Sequence, residues 1–171
     1  MKRVLSLFLF LVALAGISVL NANQETNKDG TPLPFTQLDP NRRGPRRAFA
    51  HYSGIVKPLL VVIRDREAWL EFWKQLSSRQ QPPPPLPDID FLREMLIVVS
   101  MGQRNTGGFD ITVDGVYERD KKLEVVVKNI SPGPNCGTTQ AFTQPVDIVR
   151  VQKSDYSVVF RETDVTNDCG L

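Results

Sequence analysis

Apolar and polar positions change their period several times along this chain, and each change marks an element. Residues 57–64 (KPLLVVIR) form a run of aliphatic and β-branched side chains closed by charges, which predicts a strand. Immediately afterwards the period moves from two to 3.6. Trp69, Phe72, Trp73 and Leu76 fall at i, i+3, i+4 and i+7, one face of an amphipathic helix, with Glu71, Lys74 and Gln75 opposite. Asp65 stands where an N-cap belongs, and Glu67 places a negative charge in the first turn, where the helix dipole favours it. The four prolines at 82–85 remove successive amide donors, so the helix stops by Gln81. That run favours polyproline II and reads as a stiff surface connection rather than a ligand for a partner's aromatic groove.

Residues 94–101 (EMLIVVSM) are continuously apolar instead of alternating, the pattern of a central strand buried on both faces. Residues 102–108 (GQRNTGG) read as a hairpin turn whose glycines take positive φ. Residues 109–116 (FDITVDGV) alternate like a strand with one wet face, and 118–122 turn the chain into another strand at 123–128. Residues 131–137 (SPGPNCG) read as loop, and 146–152 pairs with 157–161 as a hairpin across 153–156. The predicted order is β-α-β-β-β-β-β. Short connections after the helix favour antiparallel neighbours. The expectation is an α+β fold: a curled, mostly antiparallel sheet of five to six strands with one amphipathic helix packed on it.

Two further segments precede this domain. Residues 1–22 open with Lys2 and Arg3, continue with an apolar run from Val4 to Leu20 and reach a small residue at Ala22, the plan of a secretory signal peptide. A retained anchor is the competing reading, since the run sits at the lower limit for spanning a bilayer. Residues 23–50 are polar and punctuated by Pro and Gly, with Leu33, Phe35, Leu38 and Phe49 nearly alone as apolar positions. So little apolar surface does not offset the entropy of ordering, and a flexible basic linker is expected. The compact domain then occupies residues 51–171.

Charge refines the function class. The whole chain carries a formal +2, but Lys2 and Arg3 belong to the leader and Arg42, Arg43, Arg46 and Arg47 to the linker. What remains is slightly acidic, with no electrostatic footprint for nucleic acid. Export to a periplasmic, cell-envelope or secreted location would be oxidising, so Cys136 and Cys169 are expected to form a disulfide. A metal pair or a reactive thiol is the alternative, weakened by the lack of neighbouring His.

Enzyme signatures are missing from the sequence. His51 is the sole histidine and lies at the linker boundary, a poor mount for a general base. No G-x-S-x-G or H-E-x-x-H occurs, and the carboxylate pairs Asp88/Asp90 and Asp164/Asp168 do not make a calcium loop. The glycine-rich 102–108 stretch sits between two strands, whereas a phosphate loop leads into a helix. A non-catalytic chain without metal or cofactor is expected, with Arg104 and Thr106 presented at the tip of that turn as an interaction site. Trp69, Phe72, Trp73 and Leu76 are read as structural core in preference to a stacking platform.

Taken in order, these motifs resemble the PrcB C-terminal domain family, small exported bacterial proteins named after a protease-complex subunit. The likeness runs from about residue 59 to 160. It rests on Trp69-x-x-Phe72-Trp73, on Pro87-x-Ile89-Asp90-Phe91, on the strand-turn-strand 95–111, and on the Pro-rich loop around Pro132 and Pro134. Its most specific part is Gly102-x-Arg104-x-Thr106-Gly107-Gly108-Phe109. The resemblance implies an accessory role: binding a protein partner, such as a secreted protease, without catalysis, with that motif as the candidate interaction site. Two other readings compete. One is a protease inhibitor inserting the 131–137 loop, and the other an envelope small-ligand or glycan binder using Trp69 and Trp73.

Overall fold

A computed structural model describes residues 30–38 and 53–169. The leader, the arginine cluster and His51 lie outside the described residues. The elements are β1 (Thr31–Pro32), β2 (Phe35–Gln37), β3 (Leu59–Ile63), α1 (Arg66–Leu76), β4 (Glu94–Ser100), β5 (Asp110–Arg119), β6 (Lys122–Pro132), β7 (Val146–Gln152) and β8 (Ser157–Asn167). They form two four-stranded sheets, β1-β5-β6-β8 and β2-β7-β4-β3. The fold is thus mostly sheet with one short helix. The expected single curled sheet is replaced by two sheets facing each other, with α1 packed on the outer face of the second.

The layers follow from side-chain parity. In β4, Met95, Ile97 and Val99 enter the core between the sheets, while Leu96 and Val98 enter the core beneath the helix. In β7, Val149 and Val151 face the first sheet, and Val146 and Ile148 face the helix. A strand buried on both faces has no polar side to show, which is why residues 95–99 are unbroken in their apolarity.

α1 carries out its sequence pattern closely. The Asp65 carboxylate accepts the Ala68 N–H at 2.8 Å, and Trp69, Phe72, Trp73 and Leu76 are its buried residues. The indole N–H of Trp69 donates to the Pro87 carbonyl at 3.0 Å and that of Trp73 to Pro84 at 3.2 Å. The proline run is therefore a strap over the helix, fastened by the indoles and weighted down by Leu86, Ile89 and Phe91. A proline carbonyl keeps its acceptor capacity although the residue lacks an N–H, so such a run can satisfy buried donors while forming no ladder.

Two expected hairpins are absent for one physical reason: a short connection can step between facing sheets as easily as it can reverse within one. Residues 101–109 carry the chain from β4 in the second sheet to β5 in the first, so they are a crossing rather than a hairpin turn. Likewise β7 and β8 do not pair. β7 lies between β2 and β4, whereas β8 runs parallel to β6 over its full length, from Lys122↔Ser157 to Pro132↔Asn167. Arg64 secures that second crossing, donating to the carbonyls of Ser154 at 3.2 Å and Tyr156 at 2.9 Å. The true hairpin is β5–β6, where Asp120 and Lys121 both take positive φ (48° and 56°), the geometry of a type I′ turn.

The 23–50 segment also departs from a free tether where it is described. β1 pairs with β5 and β2 with β7, so residues 30–38 cross from one sheet to the other. Leu33 and Phe35 pack against the inter-sheet core, and Leu38 is buried in the helix-side core. The few apolar residues of that stretch are the ones that dock it. Ser131 and Pro132, expected in a loop, complete β6, and the strand expected at 157–161 continues to Asn167 as β8.

One buried carboxylate joins the sheets. Asp147 of β7 is 3% exposed, and its Oδ2 accepts from the Val113 N–H at 2.9 Å and the Gln37 Nε2 at 3.2 Å. Val113 stands at the β5 bulge, where the register skips to Gly115. The bulge releases an amide from the ladder, and Asp147 takes it.

Two outcomes follow. Trp73→Ala removes a buried anchor and its strap contact, and it should lower unfolding free energy by about 3–5 kcal/mol in urea titration. Asp147→Ala leaves the Val113 amide buried and unsatisfied, at a cost of about 1–3 kcal/mol. Asp147→Asn keeps an acceptor there and should cost less in the same titration.

Candidate protein-interaction surface

Strand directions bring several loops to one end of the sandwich. β4 and β6 finish there, β3, β5 and β7 begin there, and β8, parallel to β6, finishes beside it. The segments 53–58, 101–109 and 133–145 therefore meet. Their bonds interlock: Gln103 N–H to Val56 C=O at 2.9 Å, Gly107 N–H to Thr139 C=O at 2.9 Å, and Thr143 hydroxyl to Thr106 C=O at 2.8 Å. Arg104 and Thr143 exchange both backbone hydrogen bonds, at 2.8 and 3.0 Å. The Gln144 amide reaches Gln103 Oε1 at 3.1 Å, and the Ser53 hydroxyl donates to the Gln144 carbonyl at 3.2 Å.

The outermost loop is tied separately. Cys136 and Cys169 form a disulfide across 33 residues. The Gly133 N–H donates to Asn167 C=O at 3.0 Å and the Cys136 N–H to Gly133 C=O at 3.0 Å, which folds 133–136 into a tight turn. The bridge thus locks the end of β8 to the end of β6.

The motif residues have structural roles that the sequence leaves open. Gly102 takes φ +68° with the Pro58 nitrogen 2.7 Å from where a Cβ would stand, so only glycine lets the crossing pass β3. Gly107 abuts the Thr139 hydroxyl, which would have to turn aside for a Cβ there, and Gly108 takes φ +87°. Arg104 and Thr106, expected at an exposed tip, lie instead in the seam between two loops. Arg104 is half-buried, its guanidinium carbon 5.6 Å from the centroid of the half-buried Phe109.

What faces outward is different. Phe142 is 57% exposed and Val56 46% exposed, and Asn105, Gly108, Asn135 and Gln140 of the same interlocked segments are exposed too. Residues 134–142 contain no charged side chain at all. An uncharged, aromatic-bearing patch on a cross-linked loop cluster has the composition of an interface centre, where charges are depleted and aromatics enriched. Phe142 escaped the sequence reading because it belongs to no periodic segment; its one signal was a large aromatic inside a turn-rich stretch.

The other candidate regions fare differently. Trp69 is 1% and Trp73 4% exposed, with ring centroids 5.2 Å apart, so neither offers a face to a ligand. An open groove of about 480 Å³ lies on the outer face of the first sheet, between Tyr117, Arg119, Glu124, Val126 and Arg161. The Arg161–Glu124 ion pair, at 2.9 Å, crosses it. Among the described residues no three His, Cys, Asp or Glu side chains converge as metal ligands, and no helix is long and apolar enough to cross a membrane.

No curated protein and no solved structure matches the chain. A family model does, that of PrcB C-terminal, over residues 95–152. This stretch opens in β4 and closes at the last residue of β7, taking in β5, β6 and the 101–109 and 133–145 loops of the interlocked end. It is shorter than the likeness read from the motifs, leaving Trp69-x-x-Phe72-Trp73 and Pro87-x-Ile89-Asp90-Phe91 outside. Residues 95–152 of this chain, the frame of the loop end, are thus similar to the PrcB C-terminal family.

Proposed function

We propose that this chain is an exported, non-catalytic accessory protein whose loop end binds a protein partner, a secreted protease being the candidate. The observation that carries the reading is Phe142, a largely exposed aromatic on an uncharged loop held by hydrogen bonds to the family's glycine motif. Large apolar side chains on rigid supports lose little conformational entropy on binding, which is how a small patch supplies most of an interface's affinity. The similarity of residues 95–152 to the PrcB C-terminal family supports association with a protease complex, and the leader-like residues 1–22 together with the disulfide support export.

The inhibitor reading is less favoured by the loop's shape. Residues 133–136 are closed into a turn by the Cys136–Gly133 bond, whereas insertion into a protease cleft calls for an extended segment. The glycan reading loses its platform to the buried indoles.

The test is to incubate the purified protein with secreted proteases of the same organism and follow the half-life of their activity. The wild type is expected to lengthen it without lowering turnover. Phe142→Asp combined with Val56→Asp should abolish the effect while leaving the unfolding midpoint unchanged. Inhibition of turnover would select the inhibitor reading instead, and no effect on any protease would defeat the association.

A further inference from the structure

Each sheet has two outer strands, and three of the four carry a device against pairing with another chain. β1 has two residues, one of them Pro32, and β2 has three. β8 is long, but Glu162 and Asp164 stand on the same side as Val158 and Phe160, where an added strand would have to bury them. Asn129 holds both carboxylates there, at 3.0 and 3.3 Å. Inward charges of this kind are a recognised guard on a sheet edge.

β3 has none of these. Its five residues, Leu59 to Ile63, include no charge, no proline and no bulge, and the ladder to β4 runs unbroken from Leu59↔Ser100 to Ile63↔Leu96. Among the described residues no strand pairs with its other side. Its side chains serve both cores: Leu59, Val61 and Ile63 on the helix side, Leu60 and Val62 on the inter-sheet side. Four of the five stay half-buried where the core stops. An unguarded apolar edge continuous with two cores is an interface in waiting, or else an aggregation site.

We propose that the occupant is a second copy of this chain, with the two β3 strands paired antiparallel about Val61. The flanking charges argue for self-pairing. With Val61 opposite its own symmetry mate, Leu60 faces Val62, Leu59 faces Ile63, and Lys57 faces Asp65 at both ends of the seam. Lys57 and Asp65 are both exposed, and Lys57 has no ion pair among the described residues. Each pairing also keeps its layer, so helix-side residues meet helix-side residues and both cores run through the contact. Shifting by two residues sets Lys57 against Ile63 in one direction and Leu59 against Asp65 in the other. In the Val61-centred register Pro58 faces Arg64, whose guanidinium is already turned to the Ser154 and Tyr156 carbonyls. Of these three registers, the Val61-centred one alone sets no β3 side chain against a charge and brings opposite charges together at both ends. Such an isologous contact closes on itself, leaving no edge for further growth. It joins the second sheets of two molecules into one and does not draw on the loop-end reading.

The chain, purified as the cell produces it, is examined by sedimentation equilibrium and by oxidative cross-linking of single-cysteine additions. Wild type should sediment as a dimer. Val61→Cys should cross-link to itself without added linker, because directly opposed residues in an antiparallel pair lie about 4.5–5.5 Å apart between Cα atoms, within disulfide reach. Val159→Cys on β8 should not. Lys57→Glu, at an exposed position and expected to be neutral for folding, should raise the dimer dissociation constant about tenfold by setting like charges together at both ends. A monomer at every concentration overturns the proposal. So does a dimer that cross-links through Val159→Cys, or one indifferent to Lys57→Glu.

Discussion

Burial of β4 and β7 on both faces is the constraint from which the other packing follows. Met95, Ile97, Leu96 and Val98 are all sealed from solvent, and alternate side chains point to opposite sides of the sheet. Such a strand is stable only if something apolar covers each side. The first sheet covers one and α1 the other, each buried aliphatic contributing roughly 1.5–3 kcal/mol. The helix is too short to do this alone. Its tryptophans fill the space, and the proline strap closes over them by accepting their N–H groups. Without the strap, two buried donors would go unsatisfied.

The same constraint makes Asp147 conspicuous. It occupies an inward position of β7 where its neighbours Val149 and Val151 are apolar. A carboxylate there is tolerable only because amide and side-chain donors converge on it, one supplied by a bulge in the opposite sheet. A satisfied polar contact between otherwise greasy layers fixes how they register, since sliding the sheets would break it. Apolar packing alone discriminates much less between neighbouring alignments.

Rigidity at the loop end arises differently, from main-chain bonds and covalent closure rather than from core volume. The 101–109 crossing is clamped to Thr139 and Thr143, and the outermost turn is clamped to β8 by the disulfide. The family match spans these clamped segments and the strands bearing them. A frame of paired strands therefore fixes the position of loops that have little core of their own.

Local order was legible in the chain by itself. The helix, its Asp65 cap and its buried face could be read from spacing, β4 from its unbroken apolar run, the β5–β6 turn from its polar residues, and the disulfide from the cysteine count. These depend on neighbours a few residues apart, where periodicity and capping chemistry act. Which strand lies beside which was settled only by tertiary structure. Four residues between β7 and β8 are enough either to reverse within a sheet or to step across to the facing one, and local chemistry does not separate those outcomes. The choice falls to long-range packing: β8 must bring Val158 and Phe160 over the inter-sheet core, and only the place beside β6 does so. For the same reason Leu33, Phe35 and Leu38, too sparse to announce a strand, became core cover on a segment held by two short pairings, and Arg104 sank into a seam while Phe142 came to the surface.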